Sequence, residues 1–118
     1  MIDLNKIRKY LPNSEASSVH PCTTPGKVQF HLMADKTKGP TDDVLDITGL
    51  FERLNKDDFF NKVKHSLELK VVRASIGETV LSILGSGRIV IRKVENEKDA
   101  QRILEHLAPY IRDSFLPQ

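Results

Sequence analysis

Three observations predict an α+β fold: an antiparallel sheet with helices packed on one face. Residues 78–84 and 88–94 are two aliphatic runs separated by Gly85-Ser86-Gly87. Alternating runs around a glycine-containing turn describe a β-hairpin. Immediately downstream, Ala100, Ile103, Leu104, Leu107 and Ile111 recur at helical spacing and form one apolar stripe. Far upstream, Val28, Phe30 and Leu32 alternate with Gln29 and His31 as in a half-buried strand. Hairpin-linked strands with amphipathic helices fit two layers around one core.

In chain order, Leu4, Ile7 and Leu11 share a helical stripe, Asp3 can cap it and Pro12 stops it. Residues 12–26 read as a loop, being rich in serine, threonine, proline and glycine. Residues 27–33 are the first predicted strand, and 36–43, with Gly39-Pro40, a second loop. A helix begins at Asp46 or Thr48 and buries Leu50, Phe51 and Leu54. A further helix starts at Asn55 as N-cap, with Asp57 and Asp58 at the positive end of its dipole and Phe59, Phe60, Val63 and Leu67 as its stripe. Strands follow at 67–74, 78–84 and 88–94. Asn96 caps the last helix, Asp99 sits in its first turn, and Pro109 bends or ends it.

With 118 residues, 39% apolar and 29% charged, the chain suits one domain, 1–118, made of an N-terminal helix and loop (1–26) and an α+β core (27–112). No stretch approaches the roughly 18 apolar residues of a spanning helix, so no membrane role is expected. The sequence carries no recognisable secretory leader and one cysteine, Cys22, which predicts a cytoplasmic protein without an internal disulfide. The net charge of +2 gives no strong pull toward polyanions.

Period-two arithmetic assigns Leu69, Val71, Leu81, Ile83, Ile89 and Ile91 to the helix side of the sheet. The opposite side receives Lys70, Val72, Ala74, Val80, Ser82, Leu84, Arg88, Val90 and Arg92, with Arg73 and Lys93 pointing away from it. A part-aliphatic, part-basic face is unlike an idle solvated surface. Lys70, Val72, Val80, Leu84, Arg88, Val90 and Arg92 are therefore the candidate interaction residues. Two accounts of that face compete. It joins two copies of the chain or a protein partner, or the N-terminal helix folds back over it through Leu4, Ile7 and Leu11. Nucleic-acid binding by the basic residues is the alternative function.

Residues 78–92 followed by Glu95-Asn96-Glu97-Lys98-Asp99-Ala100, with Leu45-Asp46-Ile47 upstream, resemble one half of the TATA-binding protein over residues 28–112. In that family a strand ends at Ser-Gly-Lys/Arg, an aliphatic strand follows, and a long helix opens with an acidic turn. The resemblance implies the α+β fold with its sheet open on one side. DNA bending does not carry over: Ser82-Ile83-Leu84 lacks an aromatic wedge, and the chain has room for one half.

Leu11-Pro12, Cys22, Gly26 and Ala34 resemble, weakly, the four-cysteine iron–sulfur domain of anaerobe corrinoid and electron-transfer proteins. That match needs an insertion between Pro12 and Cys22 and competes with the strand at 27–33. Pro25, Phe30 and Val44 occupy the remaining ligand positions and cannot bind iron, so the resemblance implies a cluster-less relative with no cofactor.

Other chemistry is sparse. Cys22 with His20, His31, His65 and His106 matches no metal-ligand spacing. Gly85-Ser86-Gly87-Arg88 resembles a phosphate loop, but it precedes a strand, so the helix dipole that such a loop uses is missing. The carboxylates near Asp42, Asp57 and Glu95 read as helix caps. With no nucleophile and oriented base in view, no enzyme is expected. The expected function is a non-catalytic interaction or dimerisation module.

Overall fold

A computed structural model describes residues 2–21 and 25–117, with side chains described at 2–16 and 25–117. Its order is α1 (Leu4–Arg8), β1 (Glu15–Pro21), β2 (Val28–Met33), α2 (Ile47–Asn55), β3 (Asn61–Ser66), β4 (Val71–Ile76), β5 (Thr79–Leu84), β6 (Arg88–Val94) and α3 (Glu97–Arg112). The strands form one six-stranded sheet, β1-β2-β6-β5-β4-β3, antiparallel throughout. The helices lie on one side of it, which is the predicted α+β architecture.

Each helix starts where a side-chain oxygen replaces a missing backbone acceptor. Asp3 Oδ1 accepts from Asn5 N at 3.1 Å, Asp46 Oδ1 from Gly49 N at 3.1 Å, and Asn96 Oδ1 from Asp99 N at 2.9 Å. Pro109 does not end α3, which runs on to Arg112.

The core fills the space between the sheet and the helices. Ile103, Leu107 and Ile111 of α3 are fully buried with Leu81, Ile83, Ile89 and Ile91. Leu50 and Leu54 of α2 join the same cluster, as do Ile7 of α1 and Leu11 just beyond it. Asp3 N donates to Gln101 Oε1 at 2.7 Å, tying the start of α1 to α3. The N-terminal helix therefore packs on the helix side, which removes it as a lid over the opposite face.

The β5–β6 turn locks several segments together. Gly87 adopts φ +91°, where an L side chain is strained. Gly85 is needed instead for close approach: its N donates to Lys70 O at 2.7 Å, and its O accepts from Val44 N and Leu45 N at 2.8 and 2.9 Å. The chain's end then straps on, with Leu116 N donating to Val44 O at 2.8 Å and Asp46 N to Ser114 O at 2.8 Å.

Four sequence expectations change. Part of the expected loop at 12–26 is strand β1, whose backbone pairs with β2. The helix expected from Asn55 is a turn followed by strand β3. Asp57 Oδ1 caps that turn by accepting from Phe59 N at 2.9 Å, so Asp57 serves a turn rather than a helix dipole. Residues 67–70 are a turn between β3 and β4, with Lys70 at φ +52°. Strand β4 begins only at Val71, and its parity is the reverse of that expected. Val72 pairs with Ile83 and Ala74 with Leu81, so both point into the core, while Val71 and Arg73 face the open side.

Candidate docking face

The open side of the sheet carries a shallow depression of about 480 Å³ across β3, β4, β5 and β6. The half-buried Val71 and Leu84 supply aliphatic surface to it over the buried Val90, Ser66 and Ser82 supply hydroxyls, and Lys64, Arg73 and Arg92 positive charge. Strand register explains the layout. One row across the sheet runs Lys64, Arg73, Ser82, Val90, His31; the next runs Ser66, Val71, Leu84. At the β3–β4 turn, Leu67 is 63% exposed and Leu69 is 73% exposed, and Leu69 borders the depression.

Lys64 stands directly opposite Arg73. Like charges at opposed positions of a sheet destabilise it. Among the described residues no carboxylate pairs with Lys64, Arg73 or Arg92. Lys70, by contrast, is neutralised: its Nζ lies 2.7 Å from Asp43 Oδ1.

The seven expected residues separate accordingly. Leu84, Val90 and Arg92 meet in the depression. Val80 sits on the same side, paired with Arg92 across β6 but beyond the depression. Arg88 is also on that side, its guanidinium 2.8 Å from His31 Nδ1. Lys70 belongs to the adjoining turn. Val72 is a correction: it is fully buried among the core residues, because the turn at 67–70 shifts the parity of β4. Leu69, Val71 and Arg73 complete the face and are missed by the sequence for the same reason, while Lys64 and Ser66 join it because the segment expected as a helix is strand β3. Lys93 lies in a β-bulge at φ +59°, beside Ile103 and Arg102 of α3 and away from this face.

A second polar cluster lies on the helix side. Tyr110 OH donates to Asp57 Oδ2 at 2.6 Å, and His106 Nε2 lies 2.8 Å from the same oxygen. His106 stacks on Phe59 at 4.0 Å between ring centroids, and the Arg102 guanidinium lies 5.4 Å from the Phe59 ring. The Tyr110 hydroxyl, the Phe59 amide and His106 together hold the Asp57 carboxyl down at about 2. Bonding to that carboxylate and burial push the Tyr110 phenol upward. Both Asp57 oxygens are taken up within the protein, so the cluster pins the α2–β3 turn to α3.

Among the described residues no three His, Cys, Asp or Glu side chains converge to hold a metal ion. His31 contacts Arg88, the His65 ring packs tilted against Phe51 with centroids 4.0 Å apart, and His106 belongs to the Asp57 cluster. Cys22 and the His20 side chain lie outside what is described. Phe30 and Val44, two positions of the iron–sulfur resemblance, are buried core residues. In the glycine-rich turn two amides are already taken up within the protein, Gly85 N donating to Lys70 O and Gly87 N to Leu84 O. Among the described residues no helix is long and apolar enough to cross a membrane. No family model matches the chain, and no match was found among curated proteins or solved structures.

Proposed function

We propose that this chain is a non-catalytic binding module that docks a protein partner on the open side of its sheet. The observation that supports this reading is the aliphatic surface of Val71 and Leu84, left half-buried on the side without helices and continued by the exposed Leu69. Covering such surface releases water at roughly 25 cal/mol per Å². The likeness of residues 28–112 to one half of the TATA-binding protein adds a precedent for an open sheet side used for binding. The missing aromatic wedge makes DNA bending a poor fit.

A photo-crosslinking side chain introduced at position 84, and separately at exposed Glu52 on α2, tests the reading in the native cell. A discrete adduct from position 84, absent from position 52 and lost with Leu69→Asp, is expected. Equal labelling from the two positions would refute it. An adduct of twice the chain's mass would identify a second copy as the partner.

A further inference from the structure

Resting on that reading, we propose that the partner presents an amphipathic helix whose carboxylates flank an apolar stripe. The stripe seats on Leu69, Val71 and Leu84, above the buried Val90, and the carboxylates pair with Lys64, Arg73 and Arg92.

Charge selects the sign of the partner. Lys64 and Arg73 are held opposite one another, and neither they nor Arg92 has a carboxylate partner among the described residues. Acidic side chains brought by a ligand relieve that repulsion and form bonds that the isolated chain lacks. Shape favours a helix. The depression spans four strands, about 14 Å between the outer two at sheet spacing, which admits a helix 10–12 Å across. A bound strand would instead add to a sheet edge.

The other occupants fit less well. A second copy would set Lys64, Arg73 and Arg92 against a depression lined by no carboxylate, leaving charge desolvated without compensation. Nucleic acid would find the cations but a poor stacking platform, because no Phe, Tyr or Trp lines the depression and the His65 ring is packed against Phe51.

A displayed library of 16-residue amphipathic helices tests the inference, its apolar stripe held as leucine and its flanking positions randomised, with selection on the full chain. Enrichment of Asp and Glu at the flanks is expected. The selected peptide should shift the amide resonances of Val71, Leu84 and Val90, and Arg73→Glu should weaken it at least tenfold while the fold persists by circular dichroism. Binders that map to the same face without an acidic bias would overturn this inference and leave the docking face standing. Failure to select any binder that maps to the face would overturn both. Salt-sensitive binding of a 20-base-pair DNA duplex at the face, tighter than that of the selected peptide, would replace the inference with nucleic-acid recognition. So would dimerisation abolished by Leu84→Glu, in favour of a second copy.

Discussion

The phenol of Tyr110 donates to the carboxylate of Asp57 at 2.6 Å, joining α3 to a turn 53 residues earlier in the chain. The contact makes stability depend on pH at both ends of the scale. Asp57 has its folded pKa lowered from 3.8 to about 2, so the unfolded chain takes up its proton first on acidification. Its contribution is complete above about pH 4 and is lost as the pH falls through 3.8 toward 2. Tyr110 is shifted upward from 10.0, so the folded chain holds its proton longer. That contribution is complete below pH 10 and is lost as the pH climbs through the raised value. Asp57→Asn should cost about 1–3 kcal/mol at pH 7, as for a hydrogen bond to a charged group. The difference from wild type should shrink below pH 3. Urea denaturation across the pH range checks both statements; an equal difference at pH 7 and pH 2 would be incompatible with the linkage.

Adjacent residues of β4 should respond oppositely to a charge. Val72 is fully buried against the helices, whereas Arg73 is exposed on the open side. Val72→Asp would place a carboxylate in the core and should prevent folding. Arg73→Asp should leave the denaturation midpoint within about 0.5 kcal/mol of wild type, or raise it by relieving the repulsion from Lys64. The reverse order would place β4 in the other register.

Core truncation should be expensive. Ile103→Ala and Leu107→Ala each remove a buried aliphatic side chain facing Leu81, Ile83, Ile89 and Ile91. Each should cost about 2–5 kcal/mol in chemical denaturation, through lost burial and the cavity left behind. An unchanged midpoint for Ile103→Ala would show that α3 packs on another face.

Gly87→Ala should destabilise by about 1–2 kcal/mol, the usual cost of forcing an L side chain into a left-handed backbone. Its φ is +91°, and an added Cβ would meet Ala34 Cβ and Val44 Cγ1 at 3.5 Å, which is ordinary contact. The cost therefore comes from the backbone and not from crowding. Thermal unfolding of the variant checks it, and a midpoint equal to wild type would mean that the turn relaxes.

Where the sequence carries its own periodicity and caps, it was readable. The stripe of α3 with Asn96 ahead of it, the start of α2 at Asp46 and the β5–β6 hairpin stand as expected. Strand β3 was not readable because Phe59, Phe60 and Val63 mimic a helical stripe behind Asn55. In fact Phe59 and Phe60 cluster with His106 around the Asp57 turn. Strand β1 is held by backbone pairing to β2, which leaves no apolar alternation in Glu-Ala-Ser-Ser-Val-His-Pro. The docking face was half legible. Leu84, Val90 and Arg92 follow from the hairpin, but reading Leu67 and Leu69 as strand residues reversed β4 and exchanged Val72 for Val71 and Arg73. Two exposed leucines in a turn cannot be told from two buried ones by composition alone.

The irregular outer strand β3 also bears on how the molecule behaves at high concentration. At the sheet's rim its backbone departs from regular pairing between Asn61 and Lys64, with Lys62 at φ +50°. A kinked rim carrying two ammonium groups is a poor template for the strand of another molecule. Stacking rim to rim into fibrils would crowd those charges and leave hydrogen bonds unmade at the kink. This rim of the sheet is therefore guarded against strand addition, and straightening it while removing Lys62 and Lys64 would open it to edge-to-edge association.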